Sequence, residues 1–470
     1  MTMTNSMLIN GIQVKGDGEV FSVINPATED AICQCNMASV DQLDQAVAAA
    51  RAAYPAWRDT PDAERSRLLH QIADRLEANA DELARIIVQE QGKPLALAQM
   101  EVGAAAGWTR YNADLEIPEQ VFEDSDSKRV IGHRKPLGVV ASITPWNWPL
   151  MIAIWHIMPA LRTGNTVICK PSGMTPLNTL RLVEIMNEVL PAGVINSVLG
   201  EAEIGSAISG HADINKVIFT GSTPTGQRIL ANSATTLKRL TLELGGNDAA
   251  IVLPDSDVDA IAEGLFNSAF INMGQTCAAL KRLYVHESQY EAVCEKLATL
   301  AEQQVVGNGL DDTTTFGPVQ NANQYRQVIE LVDDARNQGA RILCGGSPSA
   351  DKGYFYPPTI VADVCNGTRL VDEEQFGPVL PVIAYQDVKQ AIALANDCSA
   401  GLGGSVWGSD TEQAGQIARQ LECGTAWINN HAEVLPHIPF GGCKLSGVGV
   451  EFGLEGLLEY TQLQVINAPK

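Results

Sequence analysis

Two side chains in this sequence pair a nucleophile with a base. Cys277 closes the stretch Phe270-Ile-Asn-Met-Gly-Gln-Thr-Cys277, and Glu243 stands in Leu242-Glu243-Leu-Gly-Gly-Asn247. A thiolate can attack a carbonyl carbon, and a carboxylate can later activate water against the resulting thioester. Gly274-Gln275 before the cysteine and Ala278-Ala279 after it leave the thiol in a tight turn beside unbranched neighbours. Free cysteine is more commonly a buried small hydrophobe, and that reading is kept for the other nine cysteines. Thiolate at neutral pH requires a lowered pKa. Leu242 and Leu244 flank Glu243, so desolvation should raise its pKa towards that of a working base; a surface or salt-bridged glutamate is the plain alternative. In Pro145-Trp-Asn147-Trp-Pro149, Asn147 can offer an amide N–H to an alkoxide formed by thiol attack, alongside the backbone N–H of Cys277. A turn residue is the alternative there.

The elements that must position these groups follow from periodicity. Ser39-Val-Asp-Gln42 has the capping-box pattern, and Leu43, Ala46, Val47 and Ala50 then recur at helical spacing. Leu68, Leu69, Ile72 and Leu76 mark a second helix, and Leu83, Ile86 and Ile87 a third that ends near Gly92. From Val139 short β-branched runs alternate with helix-length segments, at Val139–Ile143, Thr166–Ile168, Ile195–Val198 and Val217–Phe219. That rhythm predicts a parallel sheet with right-handed crossovers, which binds ligands at the carboxyl ends of its strands. Pro145-Trp-Asn, Lys170-Pro-Ser and Thr220-Gly-Ser fall at such ends, so three loops should converge on one crevice. A second α/β unit follows Gly246, with strands at Ala250–Leu253, Leu283–Val285, Val379–Ile383 and Ser405–Trp407. The expected fold is thus α/β, a Rossmann-like parallel-sheet domain plus a second α/β domain that carries Cys277, with the chemistry at their interface.

Bulk properties exclude several classes. A chain of 470 residues with 45% hydrophobic and 19% charged residues is ordinary for a globular protein of two or three domains. The longest apolar run, Trp148 to Trp155, is far short of the roughly 20 residues a membrane span needs. The net charge of −23 opposes binding to nucleic acid or anionic membranes. Ten cysteines without a CxxC pair give no zinc spacing, so no metal is expected, and free thiols fit a reducing cytoplasm. No export signal is read, and Met1-Thr-Met-Thr-Asn-Ser6 can be read as a cloning scar ahead of a natural start at Met7.

The segments around Cys277, Glu243 and Asn147, together with Phe219-Thr-Gly-Ser222, resemble the aldehyde dehydrogenase superfamily from about Asn10 to Tyr460. The family places its nucleophile at Cys277, followed by an arginine, here Arg282. The resemblance implies a hydrolytic, non-acylating member, because relatives that pass the acyl group to coenzyme A usually lack the glutamate at 243. It divides the chain into a dinucleotide-binding domain (1–118 and 138–245), a catalytic domain (246–445) and an oligomerisation element (119–137 and 446–470), in a homodimer or homotetramer. Trp146, Lys170, Phe219, Gly221, Ser222, Glu374 and Phe376 become the residues that hold NAD or NADP. Gly221-Ser-Thr-Pro-Thr-Gly226 stands where a phosphate loop would, opening a helix. The family often carries a glutamate where this chain has Gly173, an absence that should ease NADP; NAD stays slightly favoured. Arg228 and Lys216 are the cations read as within reach of a phosphate. Val450 replaces a usual arginine, which points to a local change of packing or subunit contact.

By the same resemblance, the funnel for a small aldehyde is lined by Trp148, Met151, Ile152, Trp155, Ile271, Thr276, Ala278, Val434 and Leu435. It is apolar and has no arginine near Trp155 to hold a distal carboxylate. A hydrophobic aliphatic or aromatic aldehyde fits first. An amino- or betaine-type aldehyde is the alternative, through a cation–π box at Trp148 and Trp155 helped by Glu433. A catalytically silent structural or binding relative is the reading from another class, and it would be expected to have lost Cys277, Glu243 or Asn147.

Overall fold

The computed structural model describes residues 5–470, so residues 1–4 of the opening segment lie outside the described residues. Two short antiparallel pairs, Met7–Ile9 with Ile12–Val14 and Val20–Ile24 with Ala31–Asn36, precede four helices. Helix α1 (Val40–Arg58) starts at Ser39, where both halves of the capping box form with Gln42. Its buried stripe includes the Leu43, Ala46, Val47 and Ala50 positions seen in the sequence. Helices α2 (Asp62–Ala78) and α3 (Ala80–Gln91) follow, and Gly92 ends α3 in the left-handed region at φ +99°. Helix α4 (Leu95–Asp114) then crosses α5 (Pro149–Arg162), which is buried on almost every face. Truncating a fully buried side chain of α5 such as Ile154 to alanine would cost about 2–5 kcal/mol.

The first large sheet is built from β1 (Val139–Ile143), β2 (Thr166–Lys170), β3 (Ile195–Ser197), β4 (Lys216–Thr220) and β5 (Arg239–Glu243), all parallel in the order β5-β4-β1-β2-β3. Crossovers through α5, α6 (Leu177–Asn187), α7 (Ala202–Gly210) and α8 (Thr223–Ser233) cover its faces. Strand order reverses between β1 and β4, and a crevice opens at such a reversal.

The second sheet contains β6 (Asp248–Val252), β7 (Leu280–His286), β8 (Arg341–Cys344), β9 (Thr359–Ala362), β10 (Val379–Tyr385), β11 (Gly403–Trp407) and β12 (Thr425–Ile428). Their order is β8-β9-β10-β7-β6-β11-β12, parallel except for β8. Four residues connect the end of β5 to the start of β6, so the carboxyl ends of the first sheet face the amino ends of the second. Helix α9 (Val258–Phe270) leads from β6 into the Cys277 turn, which enters β7.

A separate antiparallel sheet joins Gln120–Asp124, Lys128–Pro136 and Thr461–Pro469. The chain just before this last strand goes elsewhere. Strand β13 (Gly447–Val448) pairs antiparallel with β5, and Glu451 bridges to Phe440. The stretch 446–458 therefore packs on the core, and only the final strand enters the small sheet.

Candidate active site

Glu243 ends β5, and Cys277 precedes the start of β7, so both lie in the seam between the sheets. The approach is close enough that a Cβ added at Gly246 would overlap the carbonyl oxygen of Cys277. Ahead of the cysteine, Asn272, Met273 and Gly274 take positive φ in succession, at +51°, +56° and +69°. Left-handed backbone is unfavourable for a residue such as Met273, and it persists where surrounding bonds over-determine it. Those bonds come from the loop's own amides: Gln275 Oε1 accepts from the Gln320 N–H at 2.9 Å, and Asn272 Nδ2 donates to the Asn147 carbonyl at 2.8 Å.

Asn147 is buried and fixed at both ends. Its Nδ2 donates to the Gln275 carbonyl at 3.0 Å, which places the amide on the cysteine loop. Its own carbonyl also accepts from Lys93 Nζ at 3.0 Å. Lys93 is fully buried, paired with Glu101 at 2.7 Å, and lies 3.7 Å from the Trp148 ring centroid. The other oxygen of Glu101 accepts the Leu150 and Met151 N–H groups, two of the unpaired donors that open α5. One buried ion pair therefore sets the position of Asn147 and the entry of α5 together. Nothing in the sequence marked Lys93 or Glu101, whose partners lie far away along the chain.

The electrostatics keep protons in the seam. Burial pushes the Cys277 thiol up, and the carboxylates of Glu243, Asp248 and Glu374 push it further. Both effects favour the protonated thiol. Burial, then Glu451, raises Glu243 well above the ordinary carboxylate range, and its Oε1 has no hydrogen-bond partner. Burial holds Glu451 at about 8, with Lys216 acting against it. Glu451 lies 3.4 Å from Nε2 of the fully buried His156. Burial lowers His156 to about 3, so that contact joins an acid to a neutral imidazole. The imidazole also meets Ser142 Oγ and Thr220 Oγ1, each at 3.0 Å.

Two adjoining cavities run from the seam along the carboxyl ends of the first sheet. The smaller, of about 250 Å³, is bounded by Asn147, Cys277, Glu374 and Phe376 among others. The larger, of about 500 Å³, includes Lys170, Phe219, Glu201 and Arg228 in its walls. Trp146, Gly221 and Ser222 belong to both. The Trp146 and Phe376 rings meet edge to face at 5.3 Å, and Glu374 accepts the Gly246 N–H at 3.1 Å. Burial raises Glu374 to about 7. A Cβ at Gly221 would lie 2.5 Å from the Phe219 ring, and one at Gly245 would lie 2.5 Å from Glu374 Oε2. Gly221 lines both cavities just ahead of the N-terminus of α8, a setting that suits a pyrophosphate. The residues present thus fit a dinucleotide. Lys216 does not serve it: the side chain is buried, bonded to Thr241 Oγ1 at 2.6 Å and set over the Tyr460 ring. Gln324 and Gln327, which line the smaller cavity, carried no signal in the sequence.

The apolar residues fall into two adjoining groups. Trp148, Met151 and Ile152 cluster with Trp155, Ile271, Leu97 and Ala104. Ala278, Val434, Cys277 and Trp155 cluster with Trp108, Phe452, Phe440 and Trp427. Thr276 accepts the Trp148 indole N–H at 2.9 Å, and Leu435 is half-buried outside both groups. Trp155 stacks edge-on with Phe452 at 4.8 Å and lies 5.9 Å from Trp108. Neither Trp108 nor Phe452 was read from the sequence. Glu433 is exposed, and its carbonyl accepts the Trp427 indole N–H.

Residues 13–466 match the Aldehyde dehydrogenase family. Phenylacetaldehyde dehydrogenase of Pseudomonas fluorescens is 41% identical, over 98% of this chain and 95% of its own. Among solved structures, the NAD+ complex of an aldehyde dehydrogenase from Bacillus cereus superposes with a TM-score of 0.96 at 36% identity, covering 99% of this chain and 96% of that one. An NADP-dependent enzyme of E. coli superposes at 0.97 with 35% identity, over 100% and 98%.

Proposed function

The chain belongs to the aldehyde dehydrogenase family, and from that premise we propose how its seam works and which aldehydes enter it. It is an enzyme that oxidises an aldehyde to the carboxylic acid with NAD or NADP. Cys277 is the nucleophile: its sulfur bonds to the carbonyl carbon while its proton passes to a base. Water in the adjoining cavity is the base that takes that proton, and Glu243, buried and with an unpaired oxygen, is kept for the later hydrolysis. Asn147 Nδ2 and the Cys277 backbone N–H stabilise the alkoxide of the thiohemiacetal. NAD or NADP, held by residues such as Trp146, Glu374 and Phe376, would supply the hydride acceptor that takes the Cys277 adduct to a thioester. Glu243 then removes a proton from water, and the thioester hydrolyses to the free acid. The observation that carries this reading is the hydrogen bond that ties the Asn147 amide to the loop of Cys277.

The substrates are apolar aliphatic or aromatic aldehydes. The lining beyond Cys277 is aromatic and aliphatic, and the relative that acts on phenylacetaldehyde is in keeping with it. The cage of Trp108, Trp155 and Phe452 also favours a second reading, a cationic aldehyde. Against it, the Trp148 ring already has the Lys93 ammonium on it, and the Glu433 carboxylate is exposed. A panel of octanal, benzaldehyde, succinate semialdehyde and betaine aldehyde, read by reduced nicotinamide with each cofactor, separates these. Preference for betaine aldehyde would transfer the assignment to the cationic reading. No turnover despite cofactor binding would revive the silent relative.

Domain roles follow the division given from sequence: cofactor binding by the first sheet, catalysis by the second, and assembly by the small sheet. Val121, Phe122, Val465 and Ile466 are exposed on that sheet, and its outer strands have free edges, which supports a homodimer or homotetramer. Light scattering on the purified protein tests this; a monomer would contradict it. No helix among the described residues is long and apolar enough to cross a membrane, and no group of metal-ligating side chains occurs among them. We place the enzyme in the cytoplasm, on its free cysteines.

A further inference from the structure

One corner of the larger cavity is closed by a carboxylate from an unexpected place. Gly173 follows Lys170-Pro-Ser at the end of β2, and the space its Cβ would take is occupied by Oε1 of Glu201. Glu201 comes from the turn between β3 and α7 and lines the cavity with Lys170 and Ser172. It is exposed, and its carboxylate has no hydrogen bond or ion pair among the described residues. Burial lowers the Lys170 pKa, the nearby Glu201 acts against that, and Nζ donates to the Gly200 carbonyl at 2.7 Å. This corner therefore sets a lysine held by a backbone carbonyl beside a carboxylate whose acceptor capacity is unspent.

We propose that Glu201 reads the 2′ position of the cofactor's adenosine ribose and makes this chain prefer NAD over NADP. The inference rests on the dinucleotide reading of the cavity. An ionised carboxylate accepts a hydrogen bond from a hydroxyl, and it repels a phosphate attached at the same oxygen. Glu201 thus does the work that Gly173 lacks the side chain to do, and the missing glutamate at 173 does not open the site to NADP. Besides Lys170, Arg228 is the cationic side chain on the cavity that could meet a 2′-phosphate, and it projects from α8.

The test is calorimetric titration of NAD+ and of NADP+ into the full-length protein, for the wild type, Glu201→Gln, Gly173→Ala and Arg228→Gln. Wild type should bind NAD+ more tightly by about ten- to a hundredfold, the range of one hydrogen bond to a charged group. Glu201→Gln should bring the two affinities within about threefold by the same arithmetic. Gly173→Ala, whose new methyl must displace the Glu201 carboxylate, should move the ratio the same way. Arg228→Gln should change both nucleotides alike. An unchanged ratio in both Glu201→Gln and Gly173→Ala would overturn the assignment, as would a wild type that prefers NADP+. So would an Arg228→Gln variant that selectively loses NADP+ while Glu201→Gln has no effect. Absence of binding by either nucleotide would overturn the dinucleotide reading and this proposal with it.

Discussion

The two large sheets are both mainly parallel and both covered by helices, yet they present opposite ends to the same seam. The first sheet offers the carboxyl ends of β1, β2 and β4, where loops open into cavities lined by Gly221 among others. The second offers the amino end of β7, where Cys277 sits behind three left-handed residues fixed by buried amides. One end is built to receive a ligand and the other to hold one atom still. Side chains from several loops line the open crevice, whereas the Cys277 sulfur follows a left-handed turn whose supports are all buried. The expectation for parallel sheets, that ligands meet carboxyl ends, therefore describes only half of this site.

Substitutions can break that contrast from either side. Cys277→Ala should lower aldehyde turnover by at least about 10³-fold while leaving NAD+ affinity unchanged, measured by steady-state rates and calorimetry. A comparable loss of cofactor binding would show that the two ends are not separable. Asn147→Ala should lower kcat by roughly 10²–10³, the effect of losing one oxyanion donor, with much less change in KM. Lys93→Met leaves Glu101 buried without its partner and should cost about 3–5 kcal/mol in a denaturant titration. An unchanged midpoint would remove this pair from the account of how Asn147 is placed. The smallest effect is electrostatic. Glu451 raises the pKa of Glu243 once it is itself ionised, above about 8. Glu451→Gln removes that negative charge, so Glu243 should ionise more readily. The rise of kcat with pH should move to lower pH. A shift to higher pH would reverse the sign of the coupling.

Local signals carried much of this molecule. The capping box at Ser39, the glycine stop at Gly92 and the β-branched runs ending at Ile143, Ile168 and Phe219 each act over a few residues, so they are readable. What escaped acts through space. Lys93 and Glu101 carry no signal in the sequence, and only the fold shows them paired in the interior with Lys93 on the Asn147 carbonyl. Phe452 was assigned with the tail to the small sheet, but β13 carries that stretch back onto β5 and sets the ring against Trp155. Gly173 read as a missing carboxylate, while a carboxylate from another loop stands in its place. Lys216 read as a free cation although its strand buries it.

In the proposed mechanism an acyl group forms on Cys277 by oxidation of its aldehyde adduct, and Glu243 governs the release of that group. Rapid mixing of wild type and Glu243→Gln with NAD+ and phenylacetaldehyde tests it, with reduced nicotinamide and intact protein mass followed together. The account predicts continuous turnover by the wild type. In Glu243→Gln it predicts a burst of up to one equivalent per Cys277, then a stall with the acyl group retained on that cysteine. Sustained turnover by Glu243→Gln at the wild-type rate, with no acyl adduct at any time, would contradict it.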